Sequence, residues 1–135
     1  MIAGSVVVDT HALIWFIFDD PRLSAHARAT LAAASEFDRK IYFPTMCLVE
    51  ATYLVEKNRV PAQLLPILER AASLGDSAIE PVDLTMIVAV AMRQISRASV
   101  PDMPDRVIAA TALAMGLPLV TRDGKIRASN IETIW

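Results

Sequence analysis

The chain has 135 residues, 54% of them hydrophobic, and a formal net charge of −2 at pH 7. That length fits one domain, 1–135, and the charge balance gives no overall support for nucleic-acid binding, although acids gathered in one site would lower the pI while basic residues lie elsewhere. The longest unbroken apolar runs, Ala12 to Phe18 and Met86 to Met92, are too short to span a bilayer, and Asp9 breaks the N-terminal apolar stretch, so neither a membrane segment nor a signal peptide is expected.

Val6-Val7-Val8 reads as a strand buried on both faces, because β-branched side chains suit a crowded pleated surface. The run stops at Asp9. An unpaired buried charge costs far more than so short a strand offsets, which places Asp9 where the strand leaves the sheet, at its carboxyl end. In open α/β sheets that edge binds ligands. Thr10 to Phe18 then reads as a helix with Thr10 as N-cap, stopped by Asp19-Asp20-Pro21. Its Trp15-Phe16-Ile17-Phe18 cluster reads as core, or as a docking surface if exposed. Ser24 caps a second helix, about 25–34, and Arg39-Lys40 precede a strand over 41–43.

Pro44-Thr45 opens a helix running to about Asn58, apolar inside apart from Glu50 and Thr52. The single cysteine, Cys47, excludes an internal disulfide, fits a reducing cytoplasm and reads as core. Pro61 suits the first position of a helix that Gly75 ends. Ile79 to Val82 is extended, and Asp83 is expected to cap a helix from about Leu84 to Ile95. Pro101 and Pro104 constrain the loop 99–105, and a helix follows from about Pro104 to Met115, closed by Gly116. Leu119-Val120-Thr121 is a second buried strand ending near a carboxylate, Asp123. Residues 131–135 alternate as an edge strand does. The loops 19–24 and 36–40 carry no readable motif.

Strands separated by helices, without hairpin signals, imply an α/β fold with a mainly parallel sheet covered on both faces. Right-handed crossovers then align the carboxyl ends of all strands along one edge. Asp9 and Asp123 follow two strands, Glu50 follows a third by about one helical turn, and Asp105 begins the helix feeding the Asp123 strand. Each acid alone has a structural explanation as a cap, turn or first-turn residue. Gathered together they repel, and a hard divalent cation relieves that repulsion. Two histidines and one cysteine do not make a zinc site. An all-carboxylate divalent site best matches phosphodiester hydrolysis. Arg22, Arg28, Arg39, Lys40, Arg122, Lys125 and Arg127 could form a phosphate-binding rim, or be solvated surface charge.

The stretches Asp9 to Trp15, Glu50, Asp102 to Ala112 and Leu119 to Asp123 resemble, in order, the motifs of PIN-domain ribonucleases, specifically VapC-like toxins of type II toxin–antitoxin systems. The resemblance implies a three-layer α/β/α sandwich, Mg²⁺- or Mn²⁺-dependent endonucleolytic cleavage of RNA, a homodimer and a small antitoxin partner that blocks the acidic pocket. It implies that Asp9, Glu50, Asp105 and Asp123 form the catalytic metal site. Thr10, Asp102, Thr121 and Arg106 match supporting positions, although Arg106 could instead pair structurally with a carboxylate. Two rivals stand beside this reading. One is a non-catalytic module of the same fold that contacts RNA or protein. The other is a phosphatase of the haloacid dehalogenase type, which wants a second Asp two residues after the first, where this chain has His11.

Overall fold

β-Branched and large apolar side chains dominate the extended segments, and in the computed structural model, which describes residues 4–36, 38–75 and 77–135, they build one five-stranded sheet. Val6–Val8 (β1) lies at its centre, between Ile41–Pro44 (β2) and Leu119–Val120 (β4). Ile79–Val82 (β3) and Thr133–Ile134 (β5) form the two edges. Every pairing is parallel, with Val7 opposite Tyr42 on one side and Leu119 on the other. All of β1 is buried; because alternate side chains point to opposite faces, both faces of the sheet are covered there. Phe43, Leu13, Ile41, Leu119 and Ile108 are among the largest side chains fully enclosed in the core.

The order β3-β2-β1-β4-β5 fixes where a ligand can sit. The chain starts at the centre, steps outward through β2 to β3, then crosses back to place β4 on the other flank of β1. Connections leave β1 and β4 in opposite directions, and such a reversal opens a crevice beyond the strand carboxyl ends. Asp9 and Asp123 follow these two neighbouring strands.

The helices are Thr10–Ile17 (α1), Ala25–Ala34 (α2), Thr45–Glu56 (α3), Leu64–Leu74 (α4), Met86–Ala91 (α5), Met103–Met115 (α6) and Gly124–Arg127 (α7). Several boundaries differ from the sequence reading, each for a local reason. Asp9, not Thr10, caps α1: its Oδ1 accepts the Ala12 N–H at 2.9 Å, and Thr10 is already helical and buried. Pro61 precedes α4 rather than opening it; its carbonyl accepts from Leu64 in the turn leading in. Asp83 caps nothing, because extended chain continues past β3 and Thr85 becomes the N-cap of a shorter α5. A 3-10 turn, Met92–Gln94, takes up the rest of that segment before Ile95 returns to extended geometry. At the end of α6, Gly116 adopts φ +66°, a left-handed conformation that favours glycine, and its N–H closes onto Ala112 and Leu113.

Trp15 is buried, Phe16 and Ile17 are half-buried and Phe18 reaches the surface, so the aromatic cluster is mostly core. Cys47 is buried as well; its thiol points at the Val8 carbonyl (3.7 Å), and burial pushes its pKa up, away from nucleophile chemistry. Of the loop 36–40, Phe37 lies outside the described residues. Among the described residues no helix is long and apolar enough to cross a membrane.

Candidate active site

The crevice at the carboxyl ends of β1 and β4 is a cleft of about 580 Å³ lined by Asp9, His11, Trp15, Glu50, Asp102, Asp105, Arg122, Asp123 and Gly124. Five of these are carboxylates, and four different helix beginnings or bodies deliver them. Asp9 reaches it as the cap of α1, and Asp123 as the cap of α7, accepting from the Lys125 and Ile126 N–H groups at 3.0 and 2.9 Å. Asp102 caps α6 by accepting the Asp105 N–H at 3.1 Å, and Asp105 stands in the first turn of that helix. Glu50 enters from the body of α3, which packs against both α1 and α6. A short polar side chain at the strand–helix junction is what a helix N-terminus selects. The same local rule, repeated at α1, α6 and α7, turns three acids toward one edge of the sheet.

Two threonines tie this arrangement together. The Thr10 hydroxyl donates to Glu50 Oε1 at 2.6 Å, joining α1 to α3. The Thr121 hydroxyl donates to Asp9 Oδ2 and accepts the Asp123 N–H at 3.0 Å, joining the β1 and β4 ends. Both threonines are buried. Each therefore fixes one rotamer of a cleft acid from behind.

Arg106 behaves otherwise. Among the described residues it pairs with no carboxylate, and it does not line the cleft. Its guanidinium donates to the carbonyls of Met92 (3.0 Å) and Ile95 (2.9 Å), satisfying the end of the α5 segment, where a cation also suits the helix dipole. Its buried Nε has no partner among the described residues. Its work is to hold α6 against the preceding segment.

Gathering acids has an electrostatic consequence. Asp105 is pushed up to about 7, first by burial and then by the neighbouring charges of Asp102, Asp123, Glu50 and Asp9. Asp9 is also raised, chiefly by burial, against the lowering effect of its hydrogen bonds from Thr121 and Ala12. Among the described residues no three Asp, Glu, His or Cys side chains stand ready-made in a ligand arrangement. Asp9, Glu50 and Asp123 instead accept hydrogen bonds from the protein itself: Asp9 from Thr121 and the Ala12 N–H, Glu50 from Thr10, and Asp123 from the Lys125 and Ile126 N–H groups. The donor set still fits a hard divalent cation, since it is all carboxylate oxygen in one cleft and carries a like-charge penalty that a cation removes.

Sequence reasoning passed over Trp15 and His11 as cleft residues. They stand four residues apart on α1, ring centroids 5.7 Å apart, and their i, i+4 spacing on the helix that Asp9 caps was the available signal. Of the seven cations considered for a rim, Arg122 alone lines the acidic cleft. Arg22 is paired with Asp20, Arg28 with Asp19, and Lys40 donates to the Ser77 carbonyl at 2.6 Å.

The chain matches the model of the PIN domain family over residues 6–130. It is 27% identical over 134 residues to Ribonuclease VapC22 of Mycobacterium tuberculosis, covering 97% of this chain and 98% of the relative. The fold is similar to those in a crystal structure of VapBC2 from Rickettsia felis bound to a promoter DNA fragment (TM-score 0.69, 18% identity, 95% and 96% of the two chains). It is equally similar to that of DNA-bound VapBC from Salmonella typhimurium (TM-score 0.69, 23% identity, 96% of each chain). A toxin–antitoxin complex from Klebsiella pneumoniae shares it too, at a TM-score of 0.67 and 20% identity over 97% of each chain.

Proposed function

The chain belongs to the PIN domain family, and on that premise we propose that it is a divalent-metal-dependent endoribonuclease of the VapC type, the toxin of a toxin–antitoxin pair. The observation that carries this reading is the acidic cleft: Asp9, Glu50, Asp102, Asp105 and Asp123 share one concavity at the reversal point of the sheet. Asp9, Glu50, Asp105 and Asp123 would hold Mg²⁺ or Mn²⁺. The bound ion would supply Lewis acidity toward a phosphodiester oxygen and neutralise charge developing on phosphorus.

The chain's own residues do the rest. Thr10 and Thr121 fix the rotamers of Glu50 and Asp9, so that the cleft keeps its shape when substrate arrives. Asp102 holds the first turn of α6 and with it the position of Asp105. In the overall reaction water adds to phosphorus, the bond from phosphorus to the departing ribose oxygen breaks, and that oxygen takes up a proton.

Two partners complete the proposal. VapC22 is named as a ribonuclease, and several solved relatives are VapBC or toxin–antitoxin complexes; a small antitoxin is the corresponding partner here. A second copy of the chain is the other. Val49 and Tyr53 on α3 and Met86, Ile87 and Val90 on α5 are exposed, and both helices pack against α6. Exposed apolar clusters of this kind mark protein interfaces. The cell compartment that suits an unpaired buried cysteine is the cytoplasm.

The test is cleavage of a mixed panel of single-stranded and structured RNAs by purified protein in Mg²⁺, Mn²⁺ or excess EDTA, beside Asp105→Asn prepared identically. Metal-dependent cleavage lost in the variant is the expected result. Cleavage that survives Asp105→Asn would place the chemistry elsewhere, and absence of both cleavage and divalent binding would leave a non-catalytic module.

A further inference from the structure

One basic side chain sits among the five acids of the cleft without pairing with any of them. Arg122 is exposed and precedes Asp123 directly, yet its guanidinium forms no ion pair among the described residues. It lies instead over the Trp15 ring, 4.7 Å from the centroid. Trp15 is itself held in place: it is 4% exposed, meets Trp135 edge-on at 6.1 Å, and carries Arg22 at 5.0 Å. The two arginines differ in what their donors do. The Arg22 fork is spent on Asp20, through Nε at 3.0 Å and Nη2 at 2.8 Å. The Arg122 fork has no such carboxylate.

Stacking on an aromatic face leaves the guanidinium edge, with its N–H donors, free to bind in its own plane. An anion that docks at the wall of the acidic cleft therefore meets a planar donor fork held against an aromatic face, with no carboxylate of the described residues paired to it. Phosphate is the anion that such a fork matches, through two parallel N–H···O bonds. The acids exclude a free carboxylate ligand by repulsion unless a cation lies between, whereas a phosphodiester strand brings phosphates at regular intervals along its length.

We propose that Arg122, stacked on Trp15, is the arm of the cleft that grips an RNA phosphate beside the scissile one. The assignment rests on the nuclease reading of the cleft. Arg122 touches substrate; Trp15 is a positioning residue that acts through it. Arg22 serves the far structural end of the same stack.

The experiment measures binding separately from cleavage. A fluorescein-labelled, 20-nucleotide single-stranded RNA of random sequence is titrated by anisotropy in Ca²⁺, over a series of salt concentrations. The proteins are wild type, Arg122→Gln, Arg122→Lys, Trp15→Phe and, as a remote control, Arg70→Gln on α4. Loss of one phosphate contact makes the slope of log K against log salt shallower by about 0.7 for a single strand. Arg122→Gln is expected to show that change together with roughly tenfold weaker binding at low salt. Arg122→Lys keeps the charge, and so the slope, but binds more weakly because it lacks the fork. Trp15→Phe weakens binding at unchanged slope, and Arg70→Gln changes neither. A purely structural Arg122 would leave the slope untouched, so equal slopes and affinities for wild type and Arg122→Gln overturn the assignment while leaving the nuclease reading intact. Wild type that binds no RNA and cuts none in Mn²⁺ overturns both.

Discussion

Two strand–helix junctions in this chain look alike in sequence and end differently. At the first, Val8-Asp9-Thr10, the acid caps α1 and its carboxylate lines the cleft. At the second, Val82-Asp83-Leu84-Thr85, the acid is exposed on extended chain and Thr85 takes the cap, with the Val88 N–H 3.4 Å from its hydroxyl. The difference lies in the strand each one follows. β1 is flanked by β2 and β4, so its carboxyl end opens onto the reversal crevice with Asp123 beside it; β3 is an edge strand, and nothing converges there. A strand followed by an acid is thus neither a cap signal nor a site signal by itself: after the central strand β1 the acid is both, and after the edge strand β3 it is neither.

The sharpest way to break that contrast is to neutralise both acids. Asp9→Asn is expected to lower RNA cleavage by at least about 100-fold, which corresponds to about 2.7 kcal/mol of lost transition-state stabilisation. Asp83→Asn should leave the rate within about twofold. Asparagine caps a helix as well as aspartate does, and it removes a buried charge, so Asp9→Asn should also melt no lower than wild type in thermal unfolding. An Asp9→Asn protein that is unfolded would make the acid structural and erase the distinction between the two junctions.

The α6 helix offers a second contrast, between an acid that faces the cleft and the neighbouring arginine that turns away. Arg106→Met removes two charge-assisted bonds to the Met92 and Ile95 carbonyls, for a loss of about 2 kcal/mol in denaturant unfolding. Divalent binding, followed by calorimetry, should be retained in the folded variant. Loss of metal affinity in a fully folded Arg106→Met would give Arg106 a part in the site.

Asp105 sharpens the comparison through pH. Its folded pKa of about 7 lies above the ordinary value of 3.8, so the fold favours the protonated carboxyl. That contribution is complete below about pH 4 and disappears as pH rises through 7. Metal-free wild type should therefore lose stability relative to Asp105→Asn between those values. The gap should reach about 1–2 kcal/mol at pH 8 once solvent screening is allowed for. Mg²⁺ should close part of the gap at pH 8, because cation binding favours the ionised acids. A gap independent of pH would show that the acids do not press on one another. The smallest effect belongs to the quiet junction: Thr85→Ala should cost about 0.5–1 kcal/mol, and Asp83→Ala less than about 0.5.

Most of the fold was legible because its signals are local. Three valines, the proline before α3 and the glycine after α6 each report on a few neighbouring bonds. The legible part of the site was the set of acids at helix starts. Cap identity was less legible: Asp9 against Thr10, and Thr85 against Asp83, differ only in where strand pairing ends, and a partner strand decides that. Arg106 was ambiguous for a similar reason. A long side chain at a helix start can reach either way, and the carbonyls it found belong to a 3-10 turn that periodicity does not announce. Trp15 read as core and is core; its second face, under Arg122 at the cleft wall, depends on a residue 107 positions later in the chain.

Composition and pattern alone determined an α/β chain with parallel strands, a single buried thiol and four candidate acids, three at strand ends or helix starts and Glu50 about one helical turn beyond, since each of these follows from side-chain chemistry within a few residues. Strand order was settled elsewhere. The return of the chain from β3 across β2 and β1 to β4 puts Asp123 next to Asp9, brings α3 and α6 over the same crevice and leaves Asp83 alone at an edge. That choice depends on packing both faces of β1 at once, an energy shared among residues far apart in sequence, and no local stretch carries it.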